Sequence, residues 1–224
     1  MFDYFCYTSA MRIDLPQLSV SLSIQINLDK LILQDKTLTS AQIKNEDITN
    51  INVRSFAANE SRLENIIANK VKLENTNFTD VLIIDSELTA AAMSDASWRR
   101  VQIKTSRCGG LQLQASDLKD VTFTGCKLNL VNFRQSKLTN VAFEDCILDE
   151  ADFNAAELKN VYFHKCLLDK AEFSNSKLSK VDFRTSDINR VLGISSFAGA
   201  IIDSLQLTSI APVLASELNI DVRD

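Results

Sequence analysis

Histidine and cysteine are the residues of this sequence that suit nucleophilic chemistry or metal binding. The sole histidine, His164, stands two residues before Cys166, and cysteines recur every 20 residues at Cys126, Cys146 and Cys166. A thiol beside an imidazole forms an activated nucleophile, and several thiolates at one point form a zinc site. A catalytic pair and a zinc site both need side chains that point to one place. Whether these residues do so depends on the secondary structure that carries them.

A five-residue repeat runs from residue 26 to residue 190 without an insertion. The third residue of each block is usually Phe, Leu or Ile, the first is usually Val, Cys, Ala or Ser, and the others are mostly polar. Four blocks form a longer period, because Val-x-Phe returns every 20 residues at Val121, Val141, Val161 and Val181. A fixed period is the signature of stacked repeats. The pattern predicts about 33 repeats in about eight four-sided turns.

Alternation within a block predicts which side chains enter the core. The first and third residues point inward, and the second and fourth point outward. His164 is then outward while Cys166 is inward, so the pair is not a catalytic one, and the cysteine column becomes core packing. Trp98 is predicted to fill the core, and Gly109–Gly110 to form a corner. We therefore expect no catalytic, cofactor-binding or metal-binding residues and no enzyme activity.

Two early blocks exchange the sizes of their inward residues. Phe56 precedes Ala58 in one block, and Ile66 precedes Ala68 in the other. The large residue takes the first position and the small one takes the third, the reverse of the usual order. We expect each exchange to keep the core volume roughly constant.

Both ends of the rod need a cap, because an open turn exposes its core. Residues 1–25 are predicted to cap one end, and residues 191–224 the other. Asp203 to Gln206 fits a capping box. A helical pattern follows at Leu207, Ile210, Ala211, Leu214 and Leu218. Pro212 leaves open two short helices or one kinked helix.

The composition of the chain argues against some classes of binding partner and indicates a cellular compartment. The net charge of −5 argues against a basic nucleic-acid-binding protein. No apolar run reaches the roughly 18 residues that span a bilayer, and the N-terminus lacks the pattern of a signal peptide. Five cysteines, an odd number, indicate reduced thiols. We expect a cytoplasmic protein that binds neither nucleic acid nor membrane directly.

The repeat resembles that of the bacterial pentapeptide-repeat proteins. Their A(D/N)Lxx signature is matched by Ala151-Asp152-Phe153, Ala156-Glu157-Leu158 and Ala171-Glu172-Phe173. The tail from Gly193 to Val222 is similar to the closing segment of many members without an assigned function. The resemblance implies an all-β, right-handed quadrilateral β-helix with a short C-terminal α-helical cap.

The same resemblance implies two functions. One is a non-catalytic protein-binding scaffold, and the alternative is a DNA mimic that modulates DNA gyrase or topoisomerase, as some members of the family do. This chain departs from the second pattern, because its repeat frame has no inserted loop and one of its sides carries a net positive charge. A duplex mimic needs about one negative charge per 1.7 Å of its length.

Three surfaces are predicted contact sites for a protein that the sequence does not identify. The basic strip, suited to an acidic partner, consists of Arg99, Arg100 and Lys119. The apolar patch, suited to a protein contact, consists of Leu130, Ile147, Tyr162 and Leu167. The end surface, through which two copies would pair end to end as a homodimer, consists of Leu205, Val213 and Ile220.

Overall fold

A parallel β-solenoid with one C-terminal helix is seen in the computed structural model, which describes residues 13–24, 32–33 and 36–223. The strands are β1 (Ser23–Ile24), β2 (Thr37–Thr39), β3 (Ala41–Lys44), β4 (Ala57–Glu64), β5 (Asn77–Ile84), β6 (Ser97–Lys104), β7 (Asp117–Thr124), β8 (Lys137–Glu144), β9 (Glu157–His164), β10 (Lys177–Asp182) and β11 (Ala200–Ile201). A 3₁₀ turn (Ile194–Ser196) precedes β11, and helix α1 (Ser204–Glu217) follows it. The repeats predicted at residues 26–31 and 34–35 lie outside the described residues.

Successive turns stack in register with an offset of 20 residues. Leu118 of β7 pairs with Leu138 of β8, which pairs with Leu158 of β9. All the pairings among the named strands are parallel. The predicted period and the all-β fold are confirmed.

The four sides of a turn are of two kinds. Strands β4 to β9 are eight residues long and continue across a corner, so each covers two sides. The other two sides are joined only by isolated bridges, such as Lys127 to Ile147. On these sides the chain turns tightly, because the Val131 N–H donates to the Leu128 carbonyl at 3.2 Å with Leu130 at φ 58°. This type II geometry interrupts the short strands that the alternation predicted there.

Corners fall on every fifth residue from Ser40 to Lys180, and each has a positive φ. Asn, Asp and Gly adopt this conformation readily, and many corners carry them, for example Asn140 and Gly125. The β-branched Thr105 also adopts it, at φ 48°. The stacking of turns therefore imposes the left-handed conformation even where the residue type disfavours it.

Two columns of phenylalanine fill opposite sides of the C-terminal turns, as predicted. In one column the rings of Phe123 and Phe143 stack at 5.0 Å. In the other, Phe133 and Phe153 stack at 5.1 Å. The columns meet edge to face, with 5.9 Å between the rings of Phe133 and Phe143. Leucines fill the two remaining sides and are buried.

The early turns contain an apolar cavity of about 30 Å³. Ala68 and Ile66 line it, and Ala58 does not. Phe56, the large residue of the other exchanged block, lines the cavity as well, so the cavity lies between the two exchanged blocks and does not distinguish them. Phe56 is longer, and its ring reaches Phe78 at 6.2 Å.

We expect Ala68→Val to raise the free energy of unfolding by about 0.5–1 kcal/mol, because added methyl groups enter existing space. Ala58→Val is the matched control. Ala58 is fully buried away from the cavity, so the added atoms should overpack the core and lower stability by about 1–3 kcal/mol. Urea denaturation measures both. Equal shifts for the two variants would contradict the location of the cavity.

Helix α1 closes the C-terminal end as a single helix that contains Pro212. The predicted capping box is confirmed, because the Gln206 N–H donates to Asp203 Oδ1 at 2.8 Å and the Asp203 N–H donates to Gln206 Oε1 at 3.0 Å. Within the helix only Ile210 is buried, and Leu214 packs against the core. The helical pattern also predicted Leu207 and Leu218 on the packed face, but both are exposed. The helix therefore packs only part of its apolar surface against the core and leaves the rest exposed.

Gln206 also joins the helix to the last turn of the solenoid. Its side-chain nitrogen donates to the carbonyls of Phe183 at 2.7 Å and Ser186 at 2.8 Å. Phe197 stacks on the ring of Phe183 at 5.1 Å. The cap thus donates hydrogen bonds to the Phe183 and Ser186 carbonyls and covers the Phe183 ring, as a further turn of the solenoid would.

Candidate functional site

The histidine and cysteine side chains do not meet. His164 lies on the outside of β9, and its Nδ1 is 2.8 Å from Thr185 Oγ1. The Cys166 thiol is buried and donates to the Phe143 carbonyl at 3.3 Å. Among the cysteines that the structure describes, none pairs with the imidazole to form an activated nucleophile.

The cysteine column serves as a set of links between turns. The Cys146 thiol donates to the Phe123 carbonyl at 3.4 Å, and Ser186, in the same column, donates its hydroxyl to the Phe163 carbonyl at 2.9 Å. Cysteine and serine therefore fill equivalent positions. Among residues 13–24, 32–33 and 36–223, no three His, Cys, Asp or Glu side chains form a group suited to a metal ion.

A fourth thiol, that of Cys108, lies outside this column but contacts it, which the sequence analysis did not predict. Cys108 occupies the third position of its block, and its thiol reaches Cys126 in the next turn. The hydrogen bond to Cys126 and burial both raise the pKa of Cys108. Hydrogen bonds with Cys126 and Cys166, together with burial, raise the pKa of Cys146. Both thiols are therefore protonated and unreactive at neutral pH.

The basic strip is largely neutralised by acidic residues of adjacent turns. Arg99 donates to Asp117 Oδ2 at 2.6 Å. Arg100 holds Asp80 with two hydrogen bonds of 2.7 Å, from Nε to Oδ1 and from Nη2 to Oδ2. Lys119 is exposed beside Arg99. Two of the three predicted contact residues thus hold the turns together.

Asp80 is also bonded to the N-terminal segment. The Gln17 backbone N–H donates to Asp80 Oδ1 at 2.9 Å. Burial by itself would raise the pKa of Asp80, but the hydrogen bonds from Arg100 and Gln17 outweigh it and hold that pKa below the ordinary value. The described part of the predicted N-terminal cap therefore also contacts the side of the rod.

The apolar patch is divided among different parts of a turn. Ile147 and Leu167 are adjacent on one bridged side, and Leu167 is exposed. Tyr162 lies on the preceding strand side, and Leu130 forms the corner at the other edge. The structure brings together two of the four predicted residues.

Outward charges elsewhere pair from turn to turn. Examples are Arg107 with Glu87 at 2.8 Å and Lys177 with Glu157 at 3.0 Å. Exposed pairs of this kind stabilise a protein by about 0–1 kcal/mol each. On the surface, these pairs mix positive and negative charges, so no strong electrostatic field of one sign builds up there.

The end surface remains open to contact. Leu205 is 81% exposed, and Val213 and Ile220 are also exposed. The helix exposes further apolar residues that the sequence analysis did not select, namely Leu207 and Leu218, and Val222 follows them in the tail. The helical pattern placed Leu207 and Leu218 on the packed face, so it offered no signal of their exposure.

Comparisons with known proteins identify the repeat. The family described as pentapeptide repeat region matches residues 116–192. No curated protein matches the chain. No helix within the described ranges has the length and apolar character needed to span a membrane.

Several solved structures are similar to the chain. A trypsin-treated form of QnrB1, a plasmid-mediated fluoroquinolone resistance protein, is 18% identical over 84% of this chain and 100% of that one, with a TM-score of 0.33. Full-length QnrB1 is 17% identical over 80% and 100%, with a TM-score of 0.29. HetL from Nostoc sp. strain PCC 7120, a pentapeptide repeat protein involved in heterocyst differentiation regulation, is 14% identical over 75% and 90%, with a TM-score of 0.28.

Proposed function

Because the chain belongs to the pentapeptide-repeat proteins, we propose that it is a non-catalytic cytoplasmic scaffold that binds another protein. The burial of the four described thiols and the pairing of the arginines with carboxylates support this proposal. The rod has a convex surface, whereas enzymes enclose their substrates in concave pockets.

The observation that carries the proposal is the apolar surface of helix α1. Leu205 and Leu218 are 81% and 61% exposed at the C-terminal end of the rod. Exposed apolar clusters with polar surroundings are typical of protein contacts. This surface is the part of the rod best suited to a partner.

A second copy of the chain is the partner that fits this surface best. Glu217 is the one charged residue between Ser204 and Glu217, and it accepts a hydrogen bond of 2.7 Å from the Ser195 N–H. Two such helices can approach without like-charge repulsion. Burial of both apolar surfaces then stabilises an end-to-end homodimer.

Sedimentation velocity tests this pairing. We expect the chain to dimerise and the triple variant Leu205→Ser, Val213→Ser, Ile220→Ser to raise the dissociation constant at least about tenfold. Leu130→Ser with Leu167→Ser is the control, since it removes exposed apolar residues away from the end. A monomer at every concentration, or equal effects of both variants, would reject the end surface.

Modulation of DNA gyrase remains the alternative hypothesis. The ion pairs between turns do not favour it, because they neutralise outward carboxylates such as those of Glu87 and Glu157. A supercoiling assay with purified gyrase tests it directly. Unchanged supercoiling at micromolar concentrations of this protein would remove the hypothesis.

A further inference from the structure

Exposed lysines form a regular pattern on the side of the rod that is built from the first halves of β7 to β10. The lysine face consists of one lysine from each strand, namely Lys119, Lys137, Lys159 and Lys177. Lys137 and Lys177 occupy second positions of their blocks, whereas Lys119 and Lys159 occupy fourth positions. The register of the strands therefore places the four lysines alternately in two neighbouring columns.

The lysine face has few carboxylates to balance it. Glu157 is the one acidic residue within residues 136–140, 156–160 and 176–180. It accepts a hydrogen bond of 3.0 Å from Lys177. That bond and, with a smaller effect, the Lys137 charge hold the pKa of Glu157 below its ordinary value. One carboxylate thus faces two lysines, and the exposed Lys180 adds a further positive charge at the corner.

The two carboxylates at the start of β7 are bound to groups outside the lysine face. Asp117 accepts a hydrogen bond of 2.6 Å from Arg99 of the preceding turn. Asp120 is buried and accepts one of 2.9 Å from the Asn140 side chain. The lysine face therefore keeps a net positive charge, unlike the arginines of the basic strip, which carboxylates hold.

The spacing of the lysines favours a helical ligand. Stacked strands lie about 4.8 Å apart, so the four lysines cover about 14 Å along the rod. Side chains on one face of an α-helix recur about every 5.4 Å and cover about 16 Å in three steps. Side chains on one face of a strand recur about every 6.7 Å and cover about 20 Å. The flexible stems of lysine side chains accommodate the smaller difference more readily.

We propose that the lysine face binds an acidic α-helix of another protein, one that presents a carboxylate in each of four successive turns along one face. Opposite charges in matching rows then fix both the orientation and the register of the helix. This inference rests on the proposed scaffold function and names the chemical class of a partner that binds away from helix α1. A DNA duplex suits the rod less, because the whole chain carries a net charge of −5 and a duplex carries about one negative charge per 1.7 Å.

A synthetic helical peptide tests the proposal. The probe is an alanine-rich peptide of about 20 residues, long enough to form a helix in isolation, with Glu every three or four residues along one face. The control peptide has the same composition, but its Glu residues are distributed around the helix. Fluorescence anisotropy measures the dissociation constants with the full-length protein at low ionic strength, where exposed charges are least screened.

We expect the protein to bind the probe at least about tenfold more tightly than the control peptide, and Lys137→Glu with Lys159→Glu to raise the dissociation constant at least about tenfold. Lys127→Glu with Lys170→Glu is the matched control. It changes the net charge equally, at exposed lysines of a bridged side, and should change the dissociation constant less than about twofold. No binding of the probe, equal binding of the two peptides, or equal effects of the two double variants would overturn the proposal.

Two further measurements identify the class of ligand and separate the lysine face from helix α1. A short DNA duplex at an equal concentration should not displace the probe, and displacement would overturn the proposal in favour of a nucleic acid. The triple variant at Leu205, Val213 and Ile220 should bind the probe as the unaltered chain does. Retained binding in a monomeric variant would support the lysine face independently of the end-to-end dimer, whereas loss of binding would overturn the proposal.

Discussion

Phe143→Ala should lower the free energy of unfolding by about 3–5 kcal/mol, because it opens a cavity in the middle of the rod. The Phe143 ring stacks between Phe123 and Phe163, at 5.0 Å from each. It also meets Phe133 and Phe153 edge to face, at 5.9 and 6.2 Å. Rigid strands on both sides limit collapse into the space, so the loss should lie toward the upper end. Urea denaturation followed by circular dichroism measures it.

Lys137→Ala is the control on the neighbouring side of the same turn. Lys137 is exposed, so its removal should change stability by less than about 0.5 kcal/mol. Losses of similar size for the two variants would contradict the assignment of third residues to the core and second residues to the surface.

Gly193→Ala should destabilise the C-terminal cap by about 2–4 kcal/mol through backbone strain and steric overlap. Gly193 has φ 71°, and a Cβ there would lie 2.3 Å from the Ser174 nitrogen and 2.6 Å from its Cα. Both are backbone atoms of an adjacent turn, so neither can move aside alone. Hydrogen exchange should show faster opening of residues 193–217 than of the central strands.

Substitutions at two other glycines distinguish the cost of backbone strain from the cost of steric overlap. Gly109→Ala should be nearly neutral, within about 0.5 kcal/mol, because its φ is ordinary and the nearest atom to the new Cβ is 3.8 Å away. Gly110→Ala should cost about 1–2 kcal/mol, because φ is 66° but no atom is closer than 3.9 Å. If all three substitutions had the same effect, overlap with Ser174 would not be the cause.

The exchange of large and small residues shows where sequence reasoning reached its limit. Ala58 and Ala68 occupy equivalent positions in similar blocks, so the pattern predicts the same environment for both. Ala68 lines the cavity and Ala58 does not, although Phe56 and Ile66, the large residues of the two blocks, both line it. The length of a side chain and its angle of entry decide this difference, and neither is encoded in the period.

The candidate contact surfaces were also predicted only in part from the sequence. The sequence predicted which side chains point outward, and Arg99 and Arg100 do so, but it did not predict that Asp117 and Asp80 bind them. It predicted the capping box of Gln206, whereas the bonds from Gln206 to the Phe183 and Ser186 carbonyls required the structure. It predicted Leu205 and Val213 on the open end surface, whereas the exposure of Leu207 required the structure.

The sequence by itself determined the period, the inward and outward positions, the phenylalanine columns and the burial of the cysteine column. These properties follow from alternation along one strand and from the stacking of identical turns, so they depend only on spacing. Tertiary structure decided the cavity at Ala68, the bond between Gln17 and Asp80 and the exposure of helix α1. The residues involved in these three features are not at equivalent positions of the repeat. Their contacts therefore depend on how the N-terminal segment, the C-terminal helix and the exchanged blocks pack against the regular turns.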